Sequence, residues 1–276
     1  MSVANLKDVL QPAMDKGYAI GGLVVLGWED ARAYVEAAEE TGLPIILQAG
    51  PGCREHTPLP ILGKMFRHLA EQASVPIVCH LDHGYKVEDC IEAIESGFTS
   101  VMYDGSKLPI SQNVDITAGL VEKAKAANVS VEGEVGFVGY AEGAASANTS
   151  PEEAARFDRE SGADALAISI GNVHLQTEKS AGIDFKALQA IEAVTSLPLV
   201  IHGGSGVPVD VRQKLAKESR VSKFNIGTEL RMAFGAALRK SLEDNAESFD
   251  RVTLLSPTIA PVREATANVI RGFGKP

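Results

Sequence analysis

The chain has 276 residues, 45% hydrophobic and 22% charged, enough apolar material for a sizeable core. Its formal net charge of -10 argues against a nucleic-acid partner, which calls for a basic stripe. No apolar run approaches the roughly 20 residues of a membrane helix, and the first residues lack the order of a signal peptide. Cys53, Cys79 and Cys90 show no CxxC spacing, so a soluble cytoplasmic protein is expected, with no membrane or nucleic-acid partner.

Met1–Lys16 reads as a helix that would close one end of the fold. After it, short β-type runs alternate with helical segments. The strand candidates are Tyr18–Val25, Pro44–Gln48, Pro76–Leu81, Ser100–Tyr103, Ser130–Val135, Ala165–Ile170, Leu199–His202 and Val221–Ile226. Between them lie Glu29–Glu40, Val87–Ser96, Val114–Ala126, Pro151–Ser161, Phe185–Ala193 and Val209–Glu218. Thr41-Gly42, Ser96-Gly97 and Ser161-Gly162 supply glycines just past apolar-periodic runs, where a helix stops. Pro151 and Pro208 suit first turns.

Near-continuous apolar strands alternating with helices predict a parallel sheet covered on both faces. The number of alternations and the length favour closure as a (β/α)8 TIM barrel forming a single domain over 1–276. An open doubly wound sheet is the alternative, but no GxGxxG follows the first strand. From Thr228 onward, Thr228–Asp244 and Pro261–Phe273 form a C-terminal helical extension suited to oligomer contacts.

The strand ends hold the chemistry. The third candidate runs into His80-Leu81-Asp82-His83-Gly84. Neighbouring side chains on a regular strand face opposite ways, so Asp82 and His83 together predict that this strand stops there. The fifth ends in Glu132-Gly133-Glu134, and the sixth runs into Gly171-Asn172-Val173-His174. The seventh runs into His202-Gly203-Gly204-Ser205-Gly206 and the eighth ends in Asn225-Ile226-Gly227-Thr228. In a barrel of this kind catalytic groups come from the C-terminal ends of several strands. Any one of His83, His174 and His202 alone reads as a core or surface histidine. Together at strand ends they suit a catalytic zinc site with an open position, although all-nitrogen ligands also suit cobalt or nickel.

Gly203–Gly206 could be a tight turn. Beside His202, and followed by Asn225–Thr228 at a helix start, it is better read as an anion cradle of exposed backbone N–H groups. Gly136–Ser150, with three glycines and Glu142 as its one charge, suits a lid.

With these motifs assembled, the chain resembles the class II, metal-dependent fructose-bisphosphate/tagatose-bisphosphate aldolase family from about Leu6 to Phe273. The resemblance rests on His80–Gly84, Gly97–Ser106, Val131–Gly136, Gly171–His174, His202–Gly206 and Asn225–Arg231. It implies a zinc-dependent lyase that cleaves or forms a phosphorylated ketose through an enediolate, yielding dihydroxyacetone phosphate and an aldehyde. His83, His174 and His202 would be metal ligands and Glu134 the metal-site glutamate. Asp82 would be the acid/base at the cleaved bond, and Glu142 would move the carbon-bound proton. Asn225 would steady the enediolate. Gly203, Gly204 and Ser205 with Asn225, Ile226, Gly227 and Thr228 would bind phosphate, near a monovalent-cation loop. A phosphorylated sugar is the implied partner, and a homodimer or homotetramer the implied assembly.

The chain departs from the family where substrate would be held. A Phe-Asn pair after the first strand is Leu23-Val24 here, and a serine after the second strand's Gln48 is Gly50. The glycine after the sixth-strand histidine is Leu175, the continuation there reads Thr177-Glu178, and the lid reads Gly139–Gly143 without the usual acidic pair. Retained bond-breaking groups with lost polar anchors imply an altered substrate. A sugar acid or non-phosphorylated ketose is the alternative, and a non-catalytic aldolase-like subunit a second.

Overall fold

The computed structural model describes residues 2–139 and 145–274. It shows a closed barrel of parallel strands with helices between them, a TIM barrel. The strands are β1 (Val3–Ala4), β2 (Ile20–Val24), β3 (Ile45–Ala49), β4 (Ile77–Gly84), β5 (Ser100–Tyr103), β6 (Ser130–Val135), β7 (Ala165–Ile168), β8 (Leu199–Ile201) and β9 (Val221–Ile226). Strands β2 to β9 follow one another around the barrel, and β9 returns to β2 with Gly21 opposite Phe224. The short β1 lies outside this ring and pairs with the start of β4, Val3 opposite Ile77.

The helices are α1 (Leu6–Lys16), α2 (Trp28–Thr41), α3 (Pro51–His56), α4 (Leu59–Gln72), α5 (Val87–Glu95), α6 (Ile110–Ala126), α7 (Pro151–Ser161), α8 (Phe185–Glu192), α9 (Val209–Glu218), α10 (Thr228–Asp244), α11 (Arg251–Leu255) and α12 (Ile259–Arg271). Caps act as the residues predict. Gly42 and Gly162 turn left-handed at +67° in φ, and Ser150 accepts from the Glu153 N–H ahead of α7. Two helices, α3 and α4, fill the stretch between the second and third strand candidates, where no helix was assigned from the sequence. None of the described helices is long and apolar enough to cross a membrane.

The larger core lies between barrel and helices, and α12 packs on α2 within it. A second apolar cluster joins Leu6, Val9, Leu10 and Ala13 of α1 to Ile20, Ile46, Val78, Met102 and Val200. The first helix therefore seals the barrel floor, as expected, but it starts at Leu6 rather than Met1, because Val3–Ala4 form β1 and Asn5 caps the helix. Higher in the same interior the side chains turn polar: Gln48, His80, Glu132, Lys223 and His202 are all fully buried. That polar layer supports the rim where the site lies.

Candidate active site

Strand β4 does not stop at Leu81. It runs to Gly84, but its register against β5 shifts between Leu81 and Gly84, and His83 takes a left-handed φ of 51°. The conflict between Asp82 and His83 is thus resolved by a bulge rather than by a strand end, since a bulge re-aims a side chain within a ladder. Arg54 of α3 holds the irregular backbone, donating to the Asp82 and His83 carbonyl oxygens at 2.7 and 3.0 Å and to that of Ala49 at 3.2 Å.

The structure brings His83, His174 and His202 together. One ligand nitrogen from each lies within 4.8 Å of the others, and an overlapping group joins His83 to Asp104 and Glu134. His83 Nδ1 faces Asp104 Oδ2 at 2.8 Å. His202 Nε2 faces Glu132 Oε1 at 3.3 Å, so its Nδ1 points toward the site, 3.8 Å from Glu134 Oε2. Asn172 secures the loops beneath, accepting from the Ile170 N–H and donating to the His202 carbonyl oxygen at 3.0 Å.

A cation fits this donor set. His202 Nδ1 and Glu134 Oε2 are buried without a hydrogen-bond partner, and buried polar atoms of that kind call for a ligand. Three imidazoles with a carboxylate beside them are suitable donors for zinc.

The protonation pattern agrees. Burial opposes the charge on His83, but Asp82 and Asp104 outweigh it and raise its pKa to about 9. Burial and the nearby His83 lower His174 to about 4, and drive His202 well below the ordinary imidazole value. Burial and Asp104 raise Glu134 to about 8. Burial also opposes the charge on Asp82, but His83 and His202 hold its carboxyl below the usual range. Asp82 is thus an ionised carboxylate beside the three imidazoles, and Asn225 Nδ2 donates to its Oδ1 at 3.2 Å.

Asp82, His83, His174, Gly203, Ser205, Asn225, Gly227 and Thr228 line one pocket with Val24, Gly50 and Leu175. Gly203 has φ +64°, and a Cβ there would stand 2.1 Å from the Val173 carbonyl oxygen, so only glycine suits the turn. Ser205 Oγ accepts from the N–H groups of Gly227 and Glu229 at 3.3 and 3.4 Å, joining the glycine turn to the start of α10. Gly204 and Ile226 are buried behind the turn, with the Ile226 side chain in the core. Glu142 lies outside the described residues; on either side of that segment, Phe137 and Ala147 form an antiparallel bridge.

Sequence reasoning did not single out Arg54, Asp104 or Lys223, and it assigned no role to Glu132. A period-two signal was present for some: Lys223 shares a strand face with Asn225, and Glu132 with Glu134.

Comparison with known proteins agrees with this geometry. The family profile described as fructose-bisphosphate aldolase class-II matches residues 4–276. The chain is 37% identical to a 6-phospho-5-dehydro-2-deoxy-D-gluconate aldolase of Bacillus licheniformis, covering 99% of this chain and 96% of that one. It is 35% identical to a fructose-bisphosphate aldolase of Staphylococcus epidermidis, covering 99% and 98%. Among solved structures, the YdjI aldolase from Escherichia coli K12 superposes with a TM-score of 0.85 at 28% identity, covering 99% and 97%. A barrel rim that gathers three imidazoles and an ionised aspartate, matched along almost the whole chain, places this protein in the class II fructose-bisphosphate aldolase family of metal-dependent lyases.

Proposed function

We propose that the protein cleaves, and in reverse forms, a phosphorylated ketose, giving dihydroxyacetone phosphate or a close analogue and an aldehyde, with zinc as its cofactor. The observation that carries this reading is the meeting of His83, His174 and His202 within 4.8 Å, in the pocket that Asp82 lines. Zinc would be held by these histidines with Glu134 beside them, and when bound it supplies Lewis-acid stabilisation of negative charge developing at the substrate carbonyl.

The chain's own groups carry the remaining work. Asp82, ionised and aimed by Asn225, takes the proton from the hydroxyl at the breaking bond and returns it in condensation. Asn225 Nδ2 carries a second N–H besides the one donated to Asp82 Oδ1, and that N–H is the group assigned to the enediolate oxygens. The Gly203–Ser205 turn and the N-terminus of α10 at Thr228 offer backbone donors to phosphate. Glu142 is assigned the carbon-bound proton. A homodimer or homotetramer is supported by the exposed Phe249 and Val252 near the C-terminal helices, 99% and 69% accessible.

One observation favours a second substrate class. The pocket wall at Val24 and Gly50 offers no polar side chain, and the Bacillus licheniformis relative is named for a phosphorylated keto sugar acid. Release of dihydroxyacetone phosphate, or of the analogous three-carbon product, should be followed with zinc-loaded protein across ketose bisphosphates, phosphorylated keto sugar acids and unphosphorylated ketoses. Chelation should abolish turnover and zinc restore it, and Asp82→Ala should lower kcat by about a hundredfold or more. Near-wild-type turnover of Asp82→Ala on the substrate so identified would overturn its role.

A further inference from the structure

Arg212, in the first turn of α9, has no solvent exposure. A buried guanidinium is costly unless its charge and its donors are met. Here Nε donates to the Val207 carbonyl oxygen at 2.9 Å, and Nη2 to the Ser205 carbonyl oxygen at 3.3 Å and to Glu229 Oε1 at 2.6 Å. Phe273 lies against the group, with its ring centroid 5.7 Å from Cζ, and is itself stacked on Phe224 of β9 at 5.3 Å. The guanidinium is thus fixed in place by packing as well as by its acceptors.

Those acceptors belong to the two segments that the phosphate site would join. Ser205 and Val207 flank Gly206 in the glycine turn, and Glu229 stands in the first turn of α10. Ser205 Oγ already spans the gap through long hydrogen bonds from the N–H groups of Gly227 and Glu229. Arg212 spans it a second time with a charged fork whose donors point in fixed directions, where an ammonium offers a single point of charge. Glu229 does not cancel that charge alone. Its Oε2 also meets Lys179 at 3.1 Å, on the loop that follows His174, and from that loop the Ala181 N–H donates to the Gly206 carbonyl oxygen at 3.0 Å. Two cations therefore share one carboxylate, and a net positive charge stands behind a turn whose other donors are neutral N–H groups. A phosphate gains from that charge, which burial screens little.

We propose that Arg212 is a positioning residue for phosphate binding: from behind, it holds the glycine turn and the start of α10 together as one anion-binding surface. It touches no substrate atom and acts through the Ser205 and Val207 carbonyls and the Glu229 carboxylate. The inference rests on the phosphate site of the aldolase reading above.

The test compares zinc-loaded wild type with Arg212→Met, Arg212→Lys and the double variant Arg212→Met/Glu229→Gln. The double variant removes the carboxylate that the single change leaves short of a partner, and it carries the measurements if the single variant does not fold. Glycerol 3-phosphate, a phosphate monoester with no carbonyl for the metal, is titrated calorimetrically, and zinc affinity is measured by chelator competition. Arg212→Met and the double variant should bind the ester about tenfold or more weakly, with zinc affinity within about twofold of wild type. Arg212→Lys should recover only part of the loss; full recovery would assign the effect to charge alone and overturn the positional role. Native-state hydrogen exchange adds a readout that a general loss of stability does not move selectively. The amides of Gly206, Val207, Gly227 and Glu229 should exchange about tenfold or more faster in the variants, relative to the Leu166 amide low in β7. Ester binding within about twofold of wild type, or acceleration that Leu166 shares equally, overturns the proposal. Wild-type protein that does not bind glycerol 3-phosphate refutes the phosphate site assigned above instead. Exchange then decides on Arg212: acceleration confined to the turn and the start of α10 supports its positioning role, and uniform or absent acceleration overturns it.

Discussion

Lys223 meets Glu132 at 2.6 Å inside the barrel, and neither side chain has any solvent exposure. The pair is extended on both sides: Glu132 Oε1 faces His202 Nε2 at 3.3 Å, and Lys223 Nζ lies 3.5 Å from His80 Nε2. A buried pair of this kind adds little net stability, but removing one partner strands the other charge. Here the stranded group would be the carboxylate that aims His202. Lys223→Met should therefore destabilise the protein by about 3–5 kcal/mol in urea unfolding. The double variant Lys223→Met/Glu132→Gln should recover much of that loss, because the unpaired charge is gone. A single variant as stable as wild type would mean that the barrel interior tolerates a lone carboxylate.

Arg54 offers a separate test of the bulge in β4. Its guanidinium reaches the carbonyls of both Asp82 and His83, so it sets two site residues through their backbone. Arg54→Met should lower zinc affinity by about tenfold to a hundredfold, the range seen when groups supporting metal ligands are lost. Competition with a chromogenic chelator measures this without reference to turnover. Unaltered affinity would show that the bulge holds itself.

Stability of the chelated protein should depend on pH in a defined direction. His83 and Glu134 are raised in the fold to about 9 and 8, from ordinary values of 6.5 and 4.5. The stability each contributes is complete below its ordinary value and is lost as pH rises through the folded one. His174, lowered to about 4, and His202, lowered well below its ordinary value, behave oppositely: their contribution is complete above 6.5 and is lost as pH falls. The melting temperature of the chelated protein should therefore peak near pH 6.5 and decline on both sides. Zinc competes with protons for the same nitrogens and should flatten the alkaline decline. A chelated protein whose melting temperature rises steadily to pH 9 would contradict the protonation pattern.

Leu175 follows directly on His174, one of the proposed metal donors, and holds a φ of +59°, a conformation costly for a branched side chain. Its side chain is half exposed, so little packing offsets the strain. Leu175→Gly should stabilise the protein by about 1 kcal/mol despite the greater freedom of glycine in the unfolded chain. A loss of stability by chemical denaturation would show that the leucine makes contacts that outweigh its backbone.

Gly50 marks a place where a polar anchor fits. A Cβ there would sit 3.5 Å from Asp82 Oδ2, ordinary contact, at a φ of -78° that any residue adopts. Gly50→Ser should fold normally and place a hydroxyl in the pocket. Its kcat/KM for fructose 1,6-bisphosphate, relative to the preferred substrate, should rise several-fold, about the worth of one hydrogen bond. A falling ratio would indicate that the preferred substrate fills the space beside Gly50.

The alternation of strand and helix, the floor helix and the histidines at strand ends were legible because each depends on local pattern. The exact span Ser130–Val135 and the helix starting at Thr228 agree with the structure, each bounded by a clear turn. Helices α3 and α4 escaped notice because Pro51, Gly52, Pro58 and Pro60 read as loop, although prolines also suit first turns. The end of β4 was misjudged because a bulge has no local marker beyond the residues it serves. Arg54 and Asp104 were illegible for another reason. Each acts on His83 from a different element, and only closure of the barrel brings them near.

The two-residue strand β1 has a reach that its size conceals. The Ser2 carbonyl oxygen accepts from the Ile77 N–H at 2.7 Å, and β1 lies beside the first residues of β4. Arg54 grips the far end of that same strand. The strand bearing Asp82 and His83 is thus moored fore and aft, so trimming the amino-terminal residues would slacken a line whose other end is the chemistry.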